Sequence, residues 1–455
     1  MDTIELLENC IDERIGEGVL RVDRRTYTNP DLLEWEFEHI FEGNWVYLCH
    51  ESQVYRPRDF LSLTVGRQPV LVTRNKEGEL RAFINSCAHR GALVARETTG
   101  NRAAFTCPFH GWTFDLDGRL VDIPLEEGAG YPCQFNKSEI GLTPIPRLES
   151  YRGFVFISFN SDVQPLGQWL GDATTFIDLI VDQSPDGLEV LPGTATYTYK
   201  GNWKLTYENQ ADGYHAVTTH GNYIRTVLNR QTENRKGSMM ADQPAMDLSE
   251  LTRSDGGFYD LDHGHVMLWW DWGDPKSRPN FGQYDNYKQS VGEERANWMV
   301  NRARNLILYP NVLLADHMSM QIRVYRPLSV DRTEVTIYCL APKNESPQNR
   351  SHRLRQYEDF FNATGLATCD DAAEFEAQQA GAQSGRFVPW SDLSRGLAHM
   401  IHGPNELANR LGINPLYSGS KMEDEPIMWA QCRHWRDTLL SNVLQEQNSA
   451  RSLVK

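Results

Sequence analysis

No part of the 455-residue chain is apolar for the roughly 18 consecutive residues that a membrane-spanning helix needs. Its N-terminus, "MDTIELLENCIDERIGEG", is acidic and amphipathic and lacks the basic start and apolar core of a secretory signal. Both absences lead us to expect a cytoplasmic chain with no membrane partner. Positive charge is also scarce, with 45 Lys and Arg against 61 Asp and Glu and a net charge of −16. That balance argues against a nucleic-acid partner, because phosphate binding wants a basic face. It leaves room for an anionic substrate, which one local Arg can serve. There is no G-x-G-x-x-G between a strand and a helix, so nicotinamide or flavin chemistry belongs to another protein. There is no internal repeat and no low-complexity tract.

Cysteine is sparse: Cys10, Cys49, Cys87, Cys107, Cys133, Cys339, Cys369 and Cys432. In a reducing compartment these do not make a disulfide framework. Six have no ligand-like neighbours and are expected to be small buried hydrophobes. Cys87 and Cys107 differ, because each stands beside a His.

The pattern of the chain predicts an α+β protein. Residues 1–45 read as helical, with Asn29 or Asp31 to cap "NPDLLEWEFEHIFEGNWVYL". Residues 46–160 carry short β-branched or aromatic runs ("DFLSLTVG", "QPVLVTRN", "LRAFINSC", "GFVFISF") between turn signals, which predicts a small antiparallel β domain. Residues 161–455 predict a larger unit. Its strands are "GTATYTYKG", "HVMLWWDW", "ILYPNVLL", "MQIRVYRPL" and "TEVTIYCLAP", and a helix begins near Asn202. Helices in the C-terminal third cover the resulting antiparallel sheet. Residues 221–300 read as a long polar stretch in which "SDGGFYDLDHGH" is loop.

The first metal pattern is Cys87-x-His89, seventeen residues, then Cys107-x₂-His110. Zinc fingers pair Cys with Cys and His with His, whereas here each arm supplies one of each. A Rieske [2Fe–2S] centre needs two thiolates on one iron and two imidazoles on the other, and two loop tips of this composition provide them. Structural zinc is the alternative. Imidazole ligation raises the potential above that of all-Cys clusters, which lie near about −400 mV. Such a cluster suits a chain that accepts electrons and passes them on.

The second pattern is "NWKLTYENQADGYHAVTTH". Two imidazoles and a carboxylate make the facial triad of a non-haem Fe(II) oxygenase. His215 and His220 are five apart, about 140° of rotation on an ideal helix, so the helix is expected to end or distort between them at Val217, Thr218 and Thr219. Asp212 shares a helical face with His215 and is one candidate carboxylate. Asp370 and Asp371, at an expected helix start, are the others, and Asp370 is also a candidate N-cap. His263, His265, His317, His399 and His402 are expected to be ordinary surface or core residues.

With "HRG" and "CPFHGW", the Cys87, His89, Cys107 and His110 pattern resembles the Rieske domain of ring-hydroxylating oxygenase large (α) subunits. Rieske ferredoxins share it but stop after the cluster domain, whereas this chain runs on to residue 455. "IFEGNWVYLCHESQ", "GLEVLPGTATYTYKGNWKL", "ENQADGYH", "RNLILYPNV" and "RQYEDFFNATGLAT" are similar to the benzoate, toluate, halobenzoate and anthranilate 1,2-dioxygenase branch. The resemblance implies N-terminal helices (1–45) packing on a catalytic domain (161–455) of helix-grip, START-like fold, with a Rieske domain at 46–160. It implies a [2Fe–2S] cluster on Cys87, His89, Cys107 and His110, and a mononuclear Fe²⁺ on His215, His220 and Asp371, with Asn209 nearby. Asp212 is implied to bridge His215 to His110 of a neighbouring subunit. The implied partners are a small β subunit in an α₃β₃ assembly and a separate FAD/[2Fe–2S] reductase that oxidises NADH.

The implied reaction is cis-dihydroxylation of an aromatic carboxylate with O₂. The alternatives are a salicylate-type ring monohydroxylase or, in a different class, an electron-transfer or structural metal protein. The branch usually reads "ENGADGYH" with an aromatic after the second His; here Gln210 and Gly221 depart from it. Gln210 is a candidate partner for an ortho substituent. Arg323, with Gln321 on the same strand face, is the candidate counter-charge for the carboxylate.

Overall fold

The computed structural model describes residues 2–232 and 254–453 and divides into two compact units, Phe41–Leu166 and Met1–Ile40 with Gly167–Lys455. In the smaller unit, strands Asp59–Val65, Gln68–Arg74 and Leu80–Ile84 form consecutive antiparallel neighbours, with Thr99–Asn101 added at the edge. A second sheet, Ala104–Thr106, Thr113–Asp115 and Leu120–Asp122, and a third, Val46–His50, Phe154–Ser158 and Arg147–Tyr151, complete it. Phe60, Phe83, Phe105, Trp112 and Phe114 pack with Cys87 and Cys107 into one core. The cluster loops are therefore anchored by apolar packing immediately beneath them.

Among the described residues the larger unit holds one ten-stranded sheet. Arg332–Pro342, Met320–Ser329, Val312–Asp316, Arg302–Leu308, Val266–Asp271 and Gly256–Asp260 follow one another antiparallel across its centre. Register sets what each face presents. Leu268, Asn305, Ala315 and Gln321 form one cross-strand row, and Ile307, Leu313 and Arg323 belong to the next. Helices Trp203–Asn209, Gly221–Thr232, Leu366–Ala382 and Pro426–Leu453 belong to this unit.

The structure departs from the expected elements in three places. "GGFYD" is not loop: Gly256–Asp260 is a strand with all five residues buried. Of the polar stretch expected at 221–300, residues 233–253 lie outside the described residues. The first 45 residues are not simply helical, because Ile11–Asp12 and Arg21–Asp23 form a small sheet with Trp390–Asp392. The helix Pro30–Trp35 is capped by Asn29, whose side chain accepts from the amides of Asp31 and Leu32. Finally, Cys133 and Cys369 are exposed rather than buried.

Candidate metal centres and substrate cavity

Cys87 and Cys107 sit in two loops of the same design. Cys87 N–H donates to Ala92 O at 2.8 Å while its carbonyl accepts from Gly91 N at 2.8 Å; Cys107 N–H donates to Trp112 O at 2.7 Å while its carbonyl accepts from Gly111 N at 2.9 Å. Gly91 and Gly111 both have φ of 76°, a conformation that favours glycine. At Gly111 a Cβ would also meet Pro124 at 2.5 Å.

Both Cys are buried, and burial together with the adjoining Cys107 thiol pushes the Cys87 thiol up. The His89 and His110 rings are 4.5 Å apart, and His89 stacks on Trp112 at 4.7 Å. Thiols thus pair with thiols and imidazoles with imidazoles, as one sulfur-held and one nitrogen-held iron require. A single zinc would draw all four ligand atoms within about 4 Å of one another. Among the described residues, the one group with three ligand atoms within 4.8 Å lies elsewhere.

That group is His215, His220 and Asp371. The helix Trp203–Asn209, capped by Asn202, ends at Gln210, and a turn carries Asp212 to His215. Asp212 is therefore in a turn rather than on a shared helical face. Its Oδ1 accepts from the amides of Tyr214 (2.7 Å) and His215 (3.2 Å), and its Oδ2 lies 3.4 Å from His215 Nδ1. His215 and His220 cap the two ends of the short helix Ala216–Thr219. The breaks fall at the two histidines rather than at the β-branched residues between them.

His215 Nε2 and His220 Nε2 are 3.2 Å apart, and each is 3.4 Å from Asp371 Oδ1. Three cis ligands at bond lengths of about 2.1 Å would be separated by about 3 Å, so this triangle fits the facial face of a six-coordinate ion. Asp371 Oδ1 is buried with no hydrogen-bond partner among the described residues, which is the state expected of a metal ligand.

The electrostatics agree. Burial opposes charge on His215, but Asp212 and Asp371 outweigh it and push its pKa up to about 10. Burial pushes His220 down, and it favours the protonated form of Asp371, but the adjoining His215 imidazole overcomes this and holds Asp371 below the usual carboxylate range. The site wants positive charge at its centre.

Asp371 lies inside the helix Leu366–Ala382, whose N-cap is Gly365, so neither aspartate starts the helix and Asp370 does not cap it. Asp370 Oδ2 is 4.0 Å from His220 Nδ1, outside the triangle.

The three groups open on a cavity of about 730 Å³, its mouth included. Asn209, Gln210 and Asp212 line it, as do Leu268, Trp270 and Asn305 from the sheet, His317 just beyond the strand Val312–Asp316, and Phe360 and Phe361. The last two come from a π-helical turn, Tyr357–Phe361, a distortion common at functional sites. Asn209 Nδ2 is 3.3 Å from His215 Nε2, and Gln210 Nε2 donates to Asn209 Oδ1 at 3.3 Å.

Arg323 and Gln321 do not line this cavity. Their side chains face the expected side of the sheet, but Phe361 intervenes: the Arg323 guanidinium lies 5.0 Å from its ring and donates to its carbonyl at 3.5 Å. Gln321 is buried with both amide atoms unpartnered among the described residues. Alternation fixed which face they occupy, but not what a distant π-turn lays over them. Trp270 and His317 line the cavity instead; the sequence offers Trp270 only as part of a strand and His317 as an ordinary surface or core residue. The signal for Trp270 is cross-strand register, which one sequence does not display, and His317 is placed by the bend that follows the strand Val312–Asp316.

Comparison with known proteins sets this geometry in context. Residues 44–143 match the family described as Rieske [2Fe-2S] domain, and residues 189–412 match the ring hydroxylating alpha subunit (catalytic domain). The chain is 47% identical to toluate 1,2-dioxygenase subunit alpha of Pseudomonas putida, over 98% of this chain and 96% of that one. It is 45% identical to the 2-halobenzoate 1,2-dioxygenase large subunit of Burkholderia cepacia (97% and 94%). It is 43% identical to the anthranilate 1,2-dioxygenase large subunit of Acinetobacter baylyi (96% and 93%). The fold is that of naphthalene 1,2-dioxygenase from Rhodococcus sp., with a TM-score of 0.82 at 24% identity over 96% of this chain and 98% of that one.

Proposed function

Since the chain belongs to the α subunits of the Rieske-type ring-hydroxylating dioxygenases, we propose that it acts on an aromatic carboxylate, benzoate or an ortho-substituted benzoate, and cis-dihydroxylates the ring carbon bearing the carboxylate and its neighbour. The chain is the terminal oxygenase of a multicomponent system, with a Rieske [2Fe–2S] cluster and a mononuclear iron as its cofactors and a β subunit and reductase as partners. What carries the substrate reading is identity of 43–47% along nearly the whole chain to three relatives, each named for an aromatic carboxylate.

When bound, the cluster supplies electrons one at a time, and the iron supplies open positions at which O₂ meets the ring. Every other role falls to side chains. His215, His220 and Asp371 hold the iron, and Cys87, His89, Cys107 and His110 hold the cluster. The apolar walls at Leu268, Phe360 and Phe361 exclude water and orient the ring. Gln210, buried in the cavity wall, offers its amide to an ortho hydroxyl or amino group. Asn209 steadies the His215 ring.

The assembly is proposed as α₃β₃, in which Asp212 joins His215 to His110 of a neighbouring copy. Two features support this. Asp212 keeps its Oδ2 beside His215 while its side chain remains partly exposed, and Phe109, next to His110, is 59% exposed.

The test is product analysis over benzoate, anthranilate, 2-halobenzoates and salicylate, with reductase and β subunit supplied, for the wild type and Gln210→Gly. The expected products are cis-diols from benzoate, or catechols where the ortho group and CO₂ are lost. Gln210→Gly is expected to shift preference away from anthranilate and salicylate by about tenfold. Unchanged preference would remove the role of Gln210. Exclusive monohydroxylation would replace this reading with the salicylate-type one.

A further inference from the structure

Two side chains of the cavity wall carry ring nitrogens that nothing among the described residues satisfies. Trp270 Nε1 and His317 Nε2 are buried and have no hydrogen-bond partner among the described residues. Their ring centroids are 5.4 Å apart. Trp270 pairs with Ala303 in the sheet, and His317 follows directly on Asp316, which pairs with Arg304. Both therefore stand on the same stretch of cavity wall. Buried polar atoms in native proteins are nearly always paired, so an unpaired couple on two side chains that line one cavity marks the place of a ligand group.

We propose that the substrate's carboxylate is received by this pair, Trp270 Nε1–H and His317 Nε2–H, a charge-neutral donor set with no arginine in contact. The inference rests on the aromatic-carboxylate reading and deepens it by naming what holds the carboxylate.

Three observations support it. First, burial, with the charge of Arg278, pushes the pKa of His317 down to about 3, so it is a neutral ring with one N–H to give. Second, positive charge lies behind the wall without entering it. Asp316 accepts from both Arg278 and Arg304, two guanidinium groups against one carboxylate, and leaves one positive charge in excess. Such a field favours an anion in the cavity without a direct ion pair. Third, the alternatives are placed badly. Arg323 is screened by Phe361. The unpaired atom of Asn305 is its Oδ1, an acceptor, which repels a carboxylate.

The experiment measures equilibrium binding of benzoate and of nitrobenzene, its neutral isostere, to the assembled oxygenase by titration calorimetry. Trp270→Phe keeps the ring and removes the donor, His317→Leu removes the donor, His317→Gln restores an N–H, and Arg323→Met tests the charge. Melting temperature and iron content report on folding for each variant.

Trp270→Phe and His317→Leu are each expected to weaken benzoate about tenfold (about 1.4 kcal/mol). Nitrobenzene should stay within about twofold, and His317→Gln should recover most of the benzoate loss. Equal losses for both ligands would overturn the proposal, as would no loss for either. A benzoate-selective loss confined to Arg323→Met would also overturn it and return the role to the arginine. Should wild type prefer nitrobenzene to benzoate, the aromatic-carboxylate reading itself falls, a result distinct from any variant pattern.

Discussion

His265 has both ring nitrogens engaged by backbone. Nδ1 accepts from Tyr309 N–H at 3.0 Å, so Nε2 carries the proton and donates to Trp169 O at 3.1 Å. A second proton would have to displace the Tyr309 amide. Burial adds to this and holds the ring well below its usual value of 6.5. The unfolded chain then takes up a proton below pH 6.5 that the folded chain refuses. Stability is full above that pH and falls as pH drops, by about 1.4 kcal/mol per unit for this one group. His265→Gln, which retains a donor and an acceptor but cannot be protonated, should remove about 2 kcal/mol of the destabilisation seen between pH 7 and pH 5. Denaturant midpoints at the two pH values measure it, and an unchanged difference would refute the assignment. His317 is also buried but has no partner for Nε2 among the described residues, and that difference in satisfaction separates a core histidine from a binding one.

At the scale of elements, the iron site depends on a chain reversal that only glycine permits. Gly213 lies between Asp212 and Tyr214, and a Cβ there would come 2.3 Å from the carbonyl oxygen of Met422. That oxygen is backbone and cannot rotate away. Gly213→Ala should therefore shift the turn that presents His215 and reduce affinity for the mononuclear iron about tenfold or more. The Rieske absorption, which belongs to the other unit, should persist. Iron content and visible spectra of the purified variant check both, and full iron occupancy would contradict the argument.

What was legible in the sequence follows from the same scale. The two cluster loops could be read because all four ligands fall within 24 residues, Cys87 to His110, on local turns. His215 and His220 could be read as a pair, but Asp371 comes from a distant helix, and only resemblance singled it out from Asp370. The strand Gly256–Asp260 was missed because it is buried on both faces, so its residues do not alternate. Its Gly257 is there because Gly419 O would stand 2.4 Å from a Cβ, and that close approach looks like a turn signal in one sequence.

At the scale of the whole molecule, the proposed cluster and iron ligands belong to different units of the chain, so electrons must leave one to reach the other. Asp212 is the proposed link across a subunit boundary. Asp212→Asn keeps an acceptor for the amides of Tyr214 and His215 but loses the charge that faces His215. Reduction of the cluster by the reductase should be unchanged. Its reoxidation by O₂ in the presence of substrate should slow by about tenfold or more, with iron content held. Stopped-flow absorbance of the cluster separates the two steps, and reoxidation at the wild-type rate would remove Asp212 from the route.

The central claim is that one chain couples the two metal centres to dioxygenation of an aromatic carboxylate. A single turnover tests it most directly: the chemically reduced, iron-loaded oxygenase is mixed with benzoate and ¹⁸O₂, and the product is analysed by mass spectrometry. The account predicts a cis-diol carboxylate carrying both labelled oxygens, with the cluster oxidised in step. A product with a single labelled oxygen, or no product while the cluster stays reduced, would contradict it.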